Sequence, residues 1–194
     1  MKQRTRKIAV VGVMSAIAII LEFLEFAVPV MPGFIKLDFS ELPALITAFA
    51  LGPISGTAIC LIKNLFHLFT SSTGGVGELA NFIIGAAFVI PAGIIYHRYH
   101  DRRGAVLGAL IGAVIMAIAS IPLNYFVTYP VYYNFLPKEA IVAAYQAIYP
   151  RVNSILECLI VFNMPFTFVK GLISAVVTIF IYKRLSPILK GKHQ

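Results

Sequence analysis

The chain has 194 residues, of which 59% are hydrophobic and 12% are charged, and its formal net charge is +8. Soluble domains carry about 25% charged residues, so the composition excludes an ordinary soluble protein and predicts one all-α integral-membrane domain over residues 1–194. The two cysteines, Cys60 and Cys158, lie in apolar stretches with no metal-ligand spacing. They therefore predict neither a disulfide framework nor a metal site.

Most of the basic residues fall into three clusters, which lie before the first apolar run, in a short connector and after the last apolar run. They are Lys2, Arg4, Arg6 and Lys7; Arg98, Arg102 and Arg103; and Lys183, Arg184, Lys190 and Lys192. This is the positive-inside pattern, and it predicts that both termini and the 97–103 connector are cytoplasmic. A nucleic-acid partner is not expected, because no soluble face carries these charges.

A membrane-spanning helix needs about 20 mostly apolar residues, so the chain has room for six. In chain order we predict helices over 8–26, 38–51, 54–69, 78–96, 105–126 and 155–182. An outer loop at 28–37, a tight turn at Gly52-Pro53 and a glycine-rich turn at 71–77 separate the first four. The result is a six-helix, multi-pass bundle.

The segment 128–154 between the last two predicted spans is rich in tyrosine, and its residues 138–149 have the pattern of a short amphipathic helix. One interpretation is an aromatic belt at the outer membrane interface. Another is a lid over a pocket that opens outward, and the two are compatible.

Polar side chains interrupt the apolar runs at Lys63-Asn64, Asn124 and Lys170. A lysine at the centre of a membrane helix costs about 2.5–3.5 kcal/mol, so it needs a partner, a wet cavity or a ligand. Asn163, Thr167 and Lys170 are spaced i, i+4, i+7, which puts them on one helix face. These residues are the best indication of a binding site.

Three further pairs lie in the predicted outer half of the bundle: Glu78 with Asn81, Ser120 with Asn124, and Asp38 with Glu41. Amides, carboxylates and an ammonium at a similar depth suit a neutral, flat molecule with a polar edge. They suit a metal poorly, because no histidine joins them.

Each polar group also has a structural interpretation. Asn81 or Thr167 alone can simply bond a neighbouring helix. Lys170 can form a structural ion pair with Glu157, Glu78 or Asp38. His67 is expected to be packed or hydrogen-bonded rather than a ligand.

Catalysis has little support, since the chain contains no G-x-S-x-G, H-E-x-x-H or Walker A motif. Without a nucleotide motif, any uphill transport needs another subunit. A small membrane enzyme stays open as an alternative, with Glu22 and Glu25 as its nearest acid–base candidates. We expect these two carboxylates to face the lipid headgroups instead.

Several segments resemble the riboflavin-specific substrate-binding subunits (S components) of bacterial energy-coupling factor (ECF) vitamin transporters. The segments are FIKLDFSELPALITAFALGPISG, LIKNLFHLF, GELANFIIGAAF, IPLNYFVTYPVYY and PFTFVKG, and the resemblance covers about residues 8–185. It implies a protein of the bacterial cytoplasmic membrane that binds riboflavin and carries no cofactor of its own. Another S component, for FMN, thiamine or a related heterocycle, is the alternative.

The resemblance also implies site residues. The loop before the second helix contributes Leu37 and Asp38, the fifth helix Asn124 and the sixth helix Lys170; Asn81 and Thr167 complete the expected set. Family members commonly have Pro-Phe-Asn where this chain has Pro165-Phe166-Thr167, and a threonine cannot imitate the two-sided edge of an amide.

The partners implied by the resemblance are an EcfT-like transmembrane coupling protein and two cytoplasmic ATPases. The small-x-x-x-small motif of the first helix appears as Gly12 and Ala16, which would dock on the coupling protein. Packing within the bundle is the alternative role for these two residues. By resemblance, the loaded subunit topples in the bilayer to release the vitamin inside.

Overall fold

The computed structural model describes residues 2–71 and 74–190. Part of the predicted 71–77 turn and Lys192 of the C-terminal basic cluster lie outside these ranges. Within them, most of the chain is helical. The helices are α1 Lys2–Phe23, α2 Glu41–Leu51, α3 Pro53–His67, α4 Val76–Tyr99, α5 Arg102–Leu123, α6 Tyr129–Tyr132, α7 Lys138–Gln146, α8 Ile155–Cys158 and α9 Met164–Lys190.

Among the described residues, three helical segments are long and apolar enough to cross a membrane, namely Val76–Tyr99, Arg102–Tyr132 and Ile155–Tyr182. The second comprises α5 and α6, and the third contains α8 and most of α9. By contrast, α2 has 11 residues and is about 16 Å long at 1.5 Å per residue. It is therefore shorter than the predicted 38–51 span, and the number of crossings and the side of the termini remain predictions.

Two turns of π-helix make the long helices continuous, Asn124–Thr128 between α5 and α6 and Leu159–Asn163 between α8 and α9. Each lies just before a proline, Pro130 or Pro165. Proline has no N–H, and its ring clashes with the carbonyl four residues earlier, so a wider turn relieves the clash without ending the helix. Helix 102–132 consequently continues past the predicted end at 126.

Small residues let α4 and α5 approach closely. A Cβ added at Gly108 would lie 2.7 Å from the Ala92 carbonyl oxygen, and one at Gly112 would lie 2.6 Å from the Phe88 carbonyl oxygen. Contacts this short show that the two backbones touch directly, which is how membrane helices associate when no water drives them together.

The loop between α1 and α2 contains a small hairpin that was not predicted. Strands β1 (Phe26–Ala27) and β2 (Lys36–Leu37) pair antiparallel, with Phe26 opposite Leu37. An ion pair between Lys36 and Glu25 supports it. The hairpin folds the loop back on itself.

Two apolar clusters form the core. One lies between α1, α2, α3, α4, α5 and α9 and includes Phe49 and Phe88. The other joins the loop after α1 to the 129–162 segment and includes Met31 and Tyr145. The smaller of the two site cavities described below is lined by Met116 of the first cluster and Tyr129 of the second, so this part of the candidate site lies at their junction.

Candidate functional site

Lys63 of α3 is fully buried, and its ammonium is surrounded by carboxylates. Its Nζ lies 3.1 Å from Glu41 Oε1 and 3.4 Å from Glu22 Oε1, and it donates to Ser40 Oγ. A buried ammonium is stable only with such partners, so Lys63 ties α3 to both α1 and α2.

Lys170 of α9 joins the same network from the other side of the bundle. Its Nζ lies 2.8 Å from Asp38 Oδ2 and 3.0 Å from Glu41 Oε2. Glu41 thus contacts both lysines. Five charged side chains, four of them buried and Lys170 partly buried, form what we call the charge network (Glu22, Asp38, Glu41, Lys63 and Lys170). Among the three partners considered for Lys170 from sequence, Asp38 is the one observed.

Asp38 lies in the loop just before α2 and is oriented by Ser40, whose backbone N–H and hydroxyl both donate to Oδ1. Burial opposes ionisation of Asp38, but the ammonium groups of Lys170 and Lys63 outweigh it and hold the pKa of Asp38 well below its usual range. Asp38 is therefore a carboxylate at neutral pH, and its pair with Lys170 anchors the loop to α9.

From the sequence we expected Glu22 to face the lipid headgroups, but the structure buries it inside the bundle. It is 4% exposed, and its Oε1 accepts from Asn81 Nδ2 at 2.8 Å as well as from Lys63. Next to it, Glu78 Oε1 lies 3.0 Å from His67 Nδ1. His67 is thus hydrogen-bonded, in line with the sequence-based expectation.

Two neighbouring cavities adjoin the charge network, one of about 430 Å³ and one of about 200 Å³. They share six lining residues, so they are compartments of one site rather than separate sites. The shared residues are Phe34, Lys36, Gly77, Asn81, Tyr132 and Lys170. We call the two compartments the large and the small compartment.

The structure brings together five of the six side chains expected from sequence at the binding site. Asp38 lines the large compartment, Asn124 and Thr167 line the small one, and Asn81 and Lys170 line both. Leu37 is the exception, because it lies in β2 opposite Phe26 and lines neither compartment.

Asn124 and Thr167 are half-buried and differ from the other three because, among the described residues, their side chains have no hydrogen bond. Both are therefore available to a ligand in the small compartment. Asn124 also begins a π-helical turn, so its side chain is oriented differently from that of a residue in a regular α-helix. Such turns are frequent at functional sites.

Residues of the tyrosine-rich segment line both compartments. Tyr132, Phe135 and Ile141 line the large compartment. Behind them, Tyr145 is fully buried and donates to Asn163 Oδ1 at 2.7 Å. Burial, and to a smaller extent the neighbouring Tyr129, raise the pKa of Tyr145, so its phenol stays protonated and keeps donating.

Sequence reasoning missed the roles of Lys63, Glu22 and Glu41. Lys63 was identified only as a polar interruption of an apolar run, Glu22 was expected to face the lipid headgroups, and Glu41 was placed only in the outer half of the bundle. The available signal was charge balance, because a buried lysine on one helix needs carboxylates on others. Only the packing of α1 and α2 against α3 reveals which carboxylates those are.

Comparisons with known proteins agree with this architecture. A family model described as "ECF transporter, substrate-specific component" matches residues 6–182. The riboflavin transporter RibU of Staphylococcus aureus (strain TCH60) is 32% identical over 188 residues, which is 97% of this chain and 94% of that protein. The riboflavin transporter FmnP of Bacillus subtilis (strain 168) is also 32% identical, over 95% of this chain and 94% of its own length.

A solved structure indicates the same family. The S component of a bacterial ECF transporter superposes with a TM-score of 0.76 at 32% identity, covering 96% of this chain and 99% of the other. Fold, sequence and buried polar site therefore agree, and the chain belongs to the family of substrate-specific components of ECF transporters.

Proposed function

We propose that this chain is the membrane subunit that binds riboflavin for an ECF-type vitamin uptake transporter and that it does not transform its cargo. The observation that carries the proposal is the double compartment, in which half-buried Asn124 and Thr167 are free to bond a ligand beside Lys170. The relatives named as riboflavin transporters, each aligned over nearly the whole chain, support the same cargo.

The chemistry of the walls fits a flavin. Aromatic side chains such as Phe34, Tyr132 and Phe166 offer apolar surface to a fused ring. Polar groups at Asn81, Asn124 and Thr167 offer donors and acceptors to a uracil-like edge and a hydroxylated chain. Pockets that are largely apolar with a few placed polar groups are typical of small-molecule sites.

The same walls disfavour a phosphorylated cargo. Lys36 and Lys170 are the lysines that line the compartments, and both already pair with carboxylates, Lys36 with Glu25 and Lys170 with Asp38. A phosphate would have to compete with these pairs. Its unpaired charge would be costly to bury, so we propose riboflavin rather than FMN as the cargo.

Equilibrium titration of the purified protein tests this assignment. We expect riboflavin fluorescence to be quenched saturably at one ligand per chain, and FMN to bind about tenfold more weakly or worse, equivalent to 1.4 kcal/mol. Thiamine should not compete. Tighter binding of FMN or thiamine than of riboflavin would assign the protein to another cargo, and no binding of any flavin would remove the proposal.

We further propose that the protein acts in the bacterial cytoplasmic membrane, with both termini inside, together with an EcfT-like coupling protein and two ATPases. No cofactor is proposed. The surface of α1 supports a docking role, because Gly12 and Ala16 lie on its exposed side with Val13 and Ile20, which are 62% and 60% exposed. Neither small residue is used to pack the bundle.

Gly12→Leu should leave riboflavin affinity unchanged and lower uptake in cells by more than about tenfold, because a close helix–helix approach needs a small residue. A Cβ at Gly12 meets no atom within 4 Å, so the bundle itself tolerates the change. Radiolabelled riboflavin uptake with the whole transporter co-expressed measures the effect.

Val114→Leu is the matched control, since Val114 is 44% exposed on α5 and also faces outward. It should not change uptake. Normal uptake by Gly12→Leu, or an equal loss in both variants, would contradict docking through this face.

A further inference from the structure

A third cavity, of about 370 Å³, lies far from the two compartments and shares no lining residue with them. It lies between the α4–α5 connector and the end of α9. Along α4, its residue Tyr96 is 15 positions from Asn81, or about 22 Å. It therefore belongs to the other end of the bundle, where the proposed function has no role for it.

The floor of this cavity is aromatic and ordered. Phe49, Tyr96 and Tyr182 pack with ring centroids 4.6 to 5.7 Å apart, and the Tyr182 hydroxyl donates to the Phe49 carbonyl oxygen at 3.3 Å. All three side chains are buried. A ligand in the cavity would therefore contact a well-packed apolar surface at its floor.

The mouth of the cavity carries one arginine, one aspartate and one histidine, so an exposed guanidinium rather than a net positive charge is the feature that an anion would meet there. Arg102 and His100 line it and are exposed, and no side-chain partner of Arg102 is found in the described part of the chain. Asp101 also lines the mouth, but its Oδ1 accepts the Gly104 N–H at 2.6 Å and caps α5. Arg103 lies beside Arg102 without lining the cavity.

One side of the cavity is continuous with the lipid-facing surface. Phe180 lines it and is 75% exposed, and Val176, one turn earlier on α9, is 52% exposed. An occupant therefore has access from the bilayer itself. A molecule with an anionic head and an apolar tail could place its head at Arg102 in the mouth and its tail against the aromatic floor and Phe180.

We infer that this cavity binds the headgroup of an anionic phospholipid, with Arg102 and His100 on the phosphate and the apolar part of the lipid along Phe180. Basic pockets between membrane helices on the cytoplasmic side are the usual sites for such headgroups. The guanidinium of arginine matches phosphate with paired hydrogen bonds. The inference does not depend on the identity of the transported cargo.

The test is lipid titration of the detergent-purified chain by native mass spectrometry, with dioleoyl phosphatidylglycerol and dioleoyl phosphatidylcholine as probes. The wild type should retain one phosphatidylglycerol about tenfold more tightly than phosphatidylcholine. Arg102→Gln should remove most of this preference, a loss of about five- to tenfold. Arg103→Gln removes the same charge one residue away and should change it less than twofold.

Each other outcome overturns the inference. Equal retention of the two lipids by the wild type would show that no anionic site exists, whatever the variants do. Equal losses in Arg102→Gln and Arg103→Gln would show diffuse surface attraction. Displacement of phosphatidylglycerol by millimolar inorganic phosphate would assign the site to free anions. A thermal unfolding midpoint for Arg102→Gln equal to that of the wild type confirms that the variant is folded.

Discussion

Lys63→Met should lower the free energy of unfolding by about 3–5 kcal/mol, because removing one partner from a buried ion pair leaves the other charge uncompensated. Methionine has nearly the length of lysine, so little volume is lost. Glu22 and Glu41 would, however, both lose the ammonium that lies 3.4 and 3.1 Å from them.

Thermal unfolding in detergent, followed by circular dichroism, measures the effect. Lys138→Met is the matched control, since Lys138 is exposed on α7 and should be nearly neutral. Adding Glu22→Gln to Lys63→Met should recover part of the loss, because glutamine can still accept from Asn81. A Lys63→Met protein as stable as the control would mean that the charge network does not hold α1, α2 and α3 together.

The second large effect is expected on ligand affinity. Lys170→Met should weaken riboflavin binding by about 100-fold or more, since truncating one member of a buried, hydrogen-bonded charge pair costs roughly 2–5 kcal/mol. Lys170 lines both compartments and holds Asp38 at 2.8 Å. The variant therefore loses a wall of the site and the anchor of the loop over it.

Fluorescence quenching by the purified variants gives the affinities, with Lys138→Met again as the control. Lys170→Arg keeps the positive charge and should retain part of the affinity, although its planar group cannot reproduce the ammonium geometry. If Lys170→Met and Lys138→Met bind riboflavin equally well, Lys170 is a structural lysine and the ligand lies elsewhere.

Lys170 and Lys63 show what can and what cannot be predicted about a buried lysine from the sequence. Lys170 was assigned to the site because its helix face and the family motif agree, and the structure places it there. Lys63 has the same chemistry and a similar apolar setting, yet nothing local distinguishes a lysine that lines a cavity from one that neutralises carboxylates. Its partners are 41 and 22 positions away.

One boundary differs for a local reason. A proline inside a helix usually ends or kinks it, but the chain inserts a π-helical turn before Pro130 and continues past the predicted end at 126. A second π-helical turn precedes Pro165, inside the predicted 155–182 helix. Neighbouring helices in a bundle can satisfy backbone groups that a proline leaves free. The choice between ending a helix and widening a turn therefore depends on packing.

Composition was enough to assign the class of the molecule, because a chain with 59% hydrophobic and 12% charged residues has too few charges for an ordinary soluble surface and needs a bilayer around its apolar helices. Its motifs likewise determined the family. Tertiary structure alone decided which carboxylates neutralise which lysines, and that the polar groups of five helical segments and one loop surround a common space. Charge pairing across helices depends on the distance between side chains in three dimensions, and the spacing of residues along one helix does not reveal that distance.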